Sequence, residues 1–180
     1  MSAEGGAAAI APVLRRAQVR DAEVLSAFAR RQFVETFAAQ NTPDDLALFL
    51  DTTFTPALQR AELEDAARQY WLLEIDGGLA GYVLLNDRAD EAGVVAQHPV
   101  ELQRFYVDRA WHGRGLAATL MAHAVDQARA LGGDVLWLGV WEENPRAIRF
   151  YEKQGFVPCG AHVFMVGTDA QRDVIMARPL

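Results

Sequence analysis

The feature that most limits the possible folds is an alternation of strand and helix patterns between residues 100 and 155. Residues 100–107 and 135–140 are apolar runs predicted as strands, and residues 115–131 and 145–154 have the periodicity of amphipathic helices. Strands that are linked through a helix in this way run parallel and are joined by a right-handed crossover. This segment therefore predicts an α/β domain.

The rest of the chain predicts helices before this segment and strands on both sides of it. Asp76-Gly77-Gly78 joins two apolar runs in the pattern of a β-hairpin, which adds antiparallel pairs to the sheet. The further predicted strands are residues 13–17, 70–75, 79–85, 156–166 and 173–178, and the further helices are residues 21–39, 43–50 and 56–69. Residues 11–180 thus predict a single α/β domain with a mixed, mostly antiparallel sheet of six to seven strands flanked by helices. Residues 1–10, rich in glycine and alanine, are predicted to be a flexible N-terminus.

Composition excludes several classes of protein. Lysine and arginine total 17 against 24 acidic residues, which gives a net charge of −7, whereas nucleic-acid binders usually present a basic face. No apolar run approaches the roughly 20 residues of a membrane span. The acidic charge and the lack of such a run mean that neither a nucleic acid nor a membrane is expected as a partner. Cys159 is the single cysteine, which excludes a disulfide scaffold. The first residues lack the basic cluster of a secretory signal, and the sequence predicts a cytoplasmic protein.

Two glycines mark the junction between the first alternating strand and the helix after it. Gly113 and Gly115 lie where the strand has ended and the helix begins. Glycine lets a ligand approach the backbone closely, and the first N–H groups of a helix are free to bind an anion. The turn is therefore a candidate pyrophosphate site. A glycine-containing helix start without a ligand has the same pattern, and the two glycines alone do not separate these cases.

Two nucleotide-binding alternatives fit the turn less well. Gly113, Gly115 and Ala118 match the G-x-G-x-x-A dinucleotide fingerprint, but that fingerprint normally lies in the first turn of a doubly wound sheet. The acidic residue expected about 20 positions later should end the next strand, whereas Asp134 precedes that strand. No Gly-Lys-Ser/Thr triplet follows the glycines, which excludes a phosphate-loop NTPase.

The segment His112-Gly113-Arg114-Gly115-Leu116-Ala117 resembles the [QR]-x-x-G-x-[GA] loop of the GCN5-related N-acetyltransferase (GNAT) superfamily, which cradles the pyrophosphate of acetyl-CoA. Residues 144–156 resemble the family's later helix, with its asparagine, its tyrosine and its closing Gly-Phe. The resemblance implies a GNAT-like fold with acetyl-CoA as co-substrate, although His112 replaces the usual glutamine or arginine. The cofactor-binding residues that it implies are Phe105, Tyr106, Val107, His112, Gly113, Arg114, Gly115, Leu116, Ala117, Ala118 and Asn144.

Residues 35–41, 101–107, 137–144 and 162–167 resemble, more narrowly, the PaiA-type polyamine acetyltransferases. This resemblance implies an N-acetyltransferase whose acceptor is a primary amine of a small molecule, a polyamine such as spermidine. A protein or peptide amine and another small amine stay open as acceptors, as does a homodimer. A non-catalytic acyl-CoA-binding regulatory module is a further alternative. Tyr151 argues against that alternative, because a binding module needs no acid at that position.

Acetyl transfer to an amine requires a proton acceptor, because an alkyl amine with a pKa near 10.4 is mostly protonated at pH 7. Glu101 is the candidate base, since it lies six residues before Val107 on one predicted strand and both side chains are expected on one face. A water chain is the alternative base.

The resemblance also implies roles for other residues in the transfer. Tyr151 matches the family tyrosine that donates a proton to the leaving thiolate, and the backbone of residues 105–107 is implied to contact the thioester. Asn144 is a plausible N-cap before Pro145 and is implied to contact the pantetheine arm. The histidines show no metal-ligand spacing, and no metal is expected.

Overall fold

The computed structural model describes residues 11–180, so the prediction for residues 1–10 lies outside the described part of the chain. Seven strands and five α-helices follow one another along it: β1 (Val13–Arg16), α1 (Ala22–Phe37), α2 (Pro43–Thr53), α3 (Pro56–Glu64), β2 (Arg68–Ile75), β3 (Gly78–Asp87), β4 (Pro99–Val107), α4 (Leu116–Ala130), β5 (Val135–Trp141), α5 (Pro145–Lys153), β6 (Val157–Val166) and β7 (Asp169–Pro179). Each predicted helix and strand corresponds to one of these elements. β7 begins before residue 173, the predicted start, because it pairs with β6 as far as the tight turn between them.

All seven strands join in one sheet in the order β1-β2-β3-β4-β5-β7-β6. Among the described strands, β4 and β5 form the one parallel pair, and every other neighbouring pair is antiparallel. Helix α4 makes the crossover between β4 and β5, as the strand–helix alternation predicts. The predicted mixed, mostly antiparallel sheet of an α/β protein is confirmed.

The predicted third helix is too long. It ends at Glu64 instead of residue 69, and β2 begins at Arg68. Asp65 forms the turn that stops it: its carboxylate accepts the Ala67 N–H at 2.9 Å and its carbonyl accepts the Arg68 N–H at 3.1 Å. Arg68 and Gln69 pair with β3 in the sheet, although helix propensity alone would keep them in the helix.

Apolar clusters cover both faces of the sheet. On one side α4 and α5 pack over a cluster that includes Leu120, Met121 and Leu138, and we call this side the α4 face. On the other side α1 and α2 pack over a cluster that includes Phe33 and Tyr82, and we call it the α1 face. Burial of one such side chain contributes about 1.5–3 kcal/mol, so both helical layers are held firmly to the sheet.

The sheet opens between β4 and β5. These two strands pair only over residues 99–101 of β4 and residues 135–137 of β5. The later residues, 102–107 and 138–141, have no partner in the other strand, so the strands separate. A cleft is left between their C-terminal ends.

Strand β4 carries a bulge at the point where the cleft begins. Leu84 and Leu85, adjacent on β3, pair with Arg104 and Leu102, so Gln103 is an extra residue without a partner on β3. One extra residue reverses the alternation of side chains along the rest of a strand. Even-numbered residues before Gln103 therefore point to the same face as odd-numbered residues after it.

The bulge makes one sequence prediction wrong: Glu101 and Val107 do not share a face. Val107 packs against the cluster on the α4 face. Val100 and Leu102 belong to that same cluster, so Glu101, which lies between them, points to the α1 face. Counting residues along an unbroken strand places Glu101 on the wrong side.

Candidate active site

The cleft between β4 and β5 deepens into a cavity of about 760 Å³. Residues 102–107 of β4 form one wall and residues 139–141 of β5 form the opposite wall. The beginnings of α4 and α5 line one part, which we call the α4 half. The end of α1, with parts of β6 and β7, lines the other part, which we call the α1 half. The cavity thus reaches both faces of the sheet and offers room for two reactants that meet between the strands.

Most of the residues predicted for the site line this cavity: Phe105, Tyr106, Val107, His112, Gly113, Gly115, Leu116, Ala117, Ala118, Asn144 and Tyr151. Two predicted residues do not line it. The Arg114 guanidinium lies over the Trp111 ring, 4.9 Å from its centroid. Glu101 lies behind the cavity wall, on the side of β4 that faces Asn86.

The glycine turn leaves the start of α4 open to a ligand. Gly113 and Gly115 have φ angles of +78° and +79°, a conformation that favours glycine. A Cβ atom added at either glycine would meet no atom of residues 11–180 within 4 Å, which leaves space in front of the turn. Gly115 is the N-cap, and no side chain of the described residues bonds to the first N–H groups of the helix. These groups lie at the positive end of the helix dipole, an arrangement that suits a pyrophosphate.

His112 organises the turn and positions a cation beside it. Its Nε2 lies 2.8 Å from the Val107 carbonyl, which only accepts, so Nε2 carries the hydrogen. Its Nδ1 then accepts a hydrogen bond of 2.8 Å from the Arg146 guanidinium on α5. Arg146 also lines the cavity. The departure from glutamine or arginine at residue 112 is thus accompanied by an arginine on the neighbouring helix.

Tyr151 lies where α5 meets the cavity wall. Its ring packs edge to face against Phe105, Phe150 and Phe156, with centroid distances of 6.4, 5.4 and 5.8 Å. Burial raises the pKa of its hydroxyl above the ordinary value, because the charged phenolate would be poorly solvated. Tyr151 is therefore neutral at physiological pH and holds a proton that it can donate.

Asn144 caps the helix that carries Tyr151. Its Oδ1 accepts the Ala147 N–H at 3.1 Å, and Pro145 occupies the first turn, so the predicted N-cap is confirmed. The side chain also lines the cavity. One residue thus fixes the start of α5 and presents polar atoms to a ligand.

Glu101 is partly buried outside the cavity. The Asn86 amide donates to its Oε2 at 3.1 Å. Burial raises the pKa of the Glu101 carboxyl, and the hydrogen bond from Asn86 only partly offsets this. Its carboxylate cannot touch an amine held in the cavity without a relay.

The α1 half of the cavity combines aromatic walls with a few polar groups. Phe37, Trp141 and Phe164 line it, and the first two rings meet edge to face at 6.2 Å. Asp173 on β7 also lines it, although the residue is only 8% exposed, and burial raises the pKa of its carboxyl. Gln32 on α1 is buried, and its amide nitrogen has no hydrogen-bond partner among the described residues. Such unmatched polar atoms are available to a substrate.

Sequence reasoning missed Arg146, Asp173 and Gln32. Asp173 gave one local signal, since it is a lone carboxylate at the head of the apolar run Val-Ile-Met in a predicted strand. Arg146 and Gln32 gave none, because both lie on amphipathic helices where polar residues are ordinary. Only the assembled fold brings these three side chains to one cavity.

Residues 29–156 match the model of the acetyltransferase (GNAT) family. The chain belongs to this family. It is 32% identical over 161 residues to the uncharacterized N-acetyltransferase in the pepI 3′ region of Lactobacillus delbrueckii subsp. lactis, a match that covers 89% of this chain and 93% of that protein. It is 34% identical over 160 residues to an uncharacterized N-acetyltransferase of Mycobacterium tuberculosis, with 89% and 98% covered.

Solved structures show the same GNAT fold. The PaiA N-acetyltransferase from Thermoplasma acidophilum, crystallised with coenzyme A, superposes with a TM-score of 0.75 at 19% identity and covers 95% of this chain and 100% of that one. As a member of the GNAT family the protein is an acetyltransferase that uses acetyl-CoA as co-substrate, and the predicted enzyme class and co-substrate are confirmed. No helix in residues 11–180 is long and apolar enough to cross a membrane. Within the same residues no three His, Cys, Asp or Glu side chains are grouped to hold a metal ion.

Proposed function

We propose that this GNAT enzyme transfers the acetyl group of acetyl-CoA to a primary amine of a linear polyamine such as spermidine. The observation that carries the proposal is the make-up of the α1 half, where a buried carboxylate, Asp173, lies within an aromatic wall. Aromatic faces attract alkylammonium groups, and a carboxylate pairs with them. A cavity that reaches both faces of the sheet lets a long, narrow amine enter from the α1 side while CoA occupies the α4 side.

The α4 half is proposed to hold CoA. The N–H groups of residues 113–118 bind the pyrophosphate, and Arg146 adds a positive charge beside it. Asn144 contacts the pantetheine arm, and the backbone of residues 105–107 contacts the thioester. This arrangement directs the acetyl group to the gap between β4 and β5, where the two halves of the cavity meet.

The transfer itself is proposed to be a direct attack. The amine nitrogen forms a bond to the thioester carbon, and the carbon–sulfur bond then breaks. Tyr151 donates its proton to the departing thiolate, and the proton that nitrogen loses after attack replaces it. Backbone N–H groups of residues 105–107 stabilise the negative charge on the carbonyl oxygen.

Charge around the entrance supports a polycationic acceptor. Glu35 lies at the rim of the α1 half, where it pairs with Arg31 at 3.2 Å. Beside the cavity is a smaller recess that shares Trp141 and Gln171 with it. The other residues around that recess are Gln40, Glu142, Glu143, Asp169, Ala170 and Arg172, three of them acidic. Together with the net charge of −7, these carboxylates favour the approach of a cation with more than one charge.

A panel of amines tests the acceptor. Release of free CoA thiol is followed with spermidine, with a monoamine of similar length and with a peptide N-terminus, each at two salt concentrations. We expect the highest kcat/KM for spermidine, and a fall with salt through KM, because salt screens exposed charges over about 8 Å at physiological strength. Equal rates for spermidine and the monoamine without a salt effect, or turnover of the peptide alone, would refute the polyamine while leaving the acetyltransferase.

A further inference from the structure

Asp173 occupies a special place in the sheet. It pairs with Trp141 on β5 and with His162 on β6, and its side chain points to the α1 half of the cavity. Gly139 on β5 leaves room for it: a Cβ atom at Gly139 would lie 3.1 Å from Asp173 Oδ2 and 3.0 Å from His162 Nε2. The absence of a side chain at Gly139 therefore lets the Asp173 carboxylate reach the cavity beside bare backbone.

His162 connects Asp173 to a second carboxylate. Its Nδ1 lies 2.9 Å from Glu91 Oε2, and its Nε2 lies 3.8 Å from Asp173 Oδ2. Glu91 belongs to the segment between β3 and β4, on the far side of the ring from the cavity. The three side chains form a row, Asp173–His162–Glu91, that runs from the cavity towards that segment.

The groups that face this row come from several elements. From β4, Tyr106 lies close enough that the Asp173 charge, after burial, helps to raise the Tyr106 pKa to about 12, whereas Arg104 acts to lower it. The charge of His162 also acts to lower the pKa of Glu101 on β4. Gln32 and Glu35 face the row from α1, across the cavity.

Burial dominates the electrostatics at Asp173. It raises the pKa of the Asp173 carboxyl, and His162 only partly offsets this effect. A carboxylate with a raised pKa is a better proton acceptor than an exposed one, since its basicity is closer to neutral pH.

We propose that Asp173 is the residue that accepts the proton of the incoming ammonium group, and that His162, fixed by Glu91, positions its carboxylate. The inference rests on the proposed transfer to an amine. It assigns the base to β7, on the wall of the α1 half, in place of Glu101, whose carboxylate does not line the cavity.

The substrate ammonium gives one proton to Asp173 and becomes a neutral amine, which attacks the thioester carbon. Asp173 releases this proton to solvent, while His162, held by Glu91, keeps the carboxylate in place. The second proton that nitrogen loses ends on the CoA thiol by way of Tyr151. The net products are the acetylated amine, CoA and one proton.

The first experiment compares Asp173→Asn with Glu101→Gln, which tests the competing base, and with Asp126→Asn, an exposed acid-to-amide control on α4 outside the cavity. With saturating acetyl-CoA and spermidine at pH 7, we expect Asp173→Asn to lose kcat by about 100-fold or more. Its CoA affinity and thermal unfolding should match those of Asp126→Asn. A larger loss in Glu101→Gln than in Asp173→Asn would overturn the assignment.

The pH dependence separates a base from a structural carboxylate. The defect of Asp173→Asn should shrink as the pH approaches the amine pKa near 10.4, because the amine then arrives without its proton. An amine that is already neutral at pH 7, such as trifluoroethylamine, should react with Asp173→Asn nearly as well as with the wild type. A loss of equal size at every pH and with both amines would contradict the proposal.

The second experiment tests His162 as a positioning residue. The positive charge of His162 lowers the Asp173 pKa, so His162→Asn should move the acid limb of the kcat/KM profile to higher pH. Glu91→Gln should reduce kcat less than His162→Asn does. A kcat loss in His162→Asn without any shift of the acid limb would leave His162 as a packing residue and refute its part. If the wild type acetylates another amine and not spermidine, the polyamine assignment fails, and the same variants are compared with that amine.

Discussion

Tyr151 shows how burial at one residue supports a chemical role. Its ring is enclosed by Phe105, Phe150 and Phe156, and the residue lines the cavity. Because burial raises the Tyr151 pKa, the proton stays on the hydroxyl over the pH range in which an alkyl amine begins to lose its own. The protonated Tyr151 hydroxyl and the neutral amine are thus present at the same pH.

We expect Tyr151→Phe to reduce kcat by roughly ten-fold to a thousand-fold, because the substitution removes the proton donor and little volume. KM for acetyl-CoA should change little. Tyr82→Phe is the matched control, since the Tyr82 hydroxyl is buried, has no hydrogen-bond partner in the described part of the chain and lies outside the cavity lining. Steady-state kinetics of both variants decide the matter, and a Tyr151→Phe enzyme within two-fold of the wild type would show that the hydroxyl is not needed.

We expect Gly115→Val to abolish measurable CoA binding, since a side chain would occupy the open space in front of the α4 N–H groups. The positive φ of +79° adds about 1–2 kcal/mol of strain in any variant with a side chain. Gly77→Val carries the same strain at φ +74°, in the hairpin turn and away from the cavity. Calorimetric titration with CoA should show binding by Gly77→Val alone. Equal affinity of the two variants would remove the turn from the CoA site.

At the scale of the element, β4 shows what sequence patterns can and cannot predict. The limits of the strand and the glycine turn after it were predictable, because both depend on neighbouring residues in the chain. The bulge at Gln103 was not, since Glu101 to Val107 has the composition of an unbroken strand and the extra residue is visible only against β3. The α4 half of the site follows the local motif and was largely predictable. The α1 half assembles α1, β6 and β7 and was not.

A buried ionic network ties helix α3 to the sheet. Glu62 on α3 lies 2.7 Å from Arg104 on β4 and also bonds to Tyr70 on β2. Burial alone would raise the Glu62 pKa, but Arg104, together with Tyr70 and Arg68, outweighs burial and lowers the pKa below its usual value. The network therefore needs Glu62 ionised.

We expect Glu62→Gln to cost about 3–5 kcal/mol of unfolding free energy, because it leaves the Arg104 guanidinium buried without its charge partner. Glu64→Gln, exposed on the same helix, should be near neutral. Since the folded pKa of Glu62 is lowered, its contribution is complete above the unfolded pKa of about 4.3 and is lost as the pH falls through the folded value. Urea unfolding at pH 7 and pH 3 should show the gap between the two variants narrowing in acid.

At the scale of the whole molecule, the charge is divided between the two ends of the cavity. The chain carries a net charge of −7, yet Arg109 and Arg146 line the α4 half, where CoA phosphates are proposed to bind. Carboxylates dominate the surface beside the α1 half. An anion and a cation are thus directed to opposite ends.

We expect CoA to stabilise the whole fold, because it binds the native state alone. At 100 times its dissociation constant a ligand adds about 2.7 kcal/mol, which for a domain of this size raises Tm by about 5–10 °C. Thermal unfolding with and without CoA measures the shift, and Gly115→Val should show none. NAD at the same concentration serves as the control ligand, and a comparable shift with NAD would revive the dinucleotide alternative.

The short joint between β4 and β5 also has a mechanical consequence. Within residues 11–180, the only paired positions between one part of the sheet, β1–β4, and the other part, β5–β7, are residues 99–101 and 135–137. Each part of the sheet has its own continuous hydrogen-bonded strand pairs. A small rotation about this joint would therefore widen or narrow the gap without breaking a strand pair within either part. We expect a ligand bound in the gap to fix the angle between the two parts of the sheet. When CoA binds, hydrogen exchange of amides flanking the joint should slow by more than exchange within the β2–β3 hairpin, which should slow only by the global stabilisation.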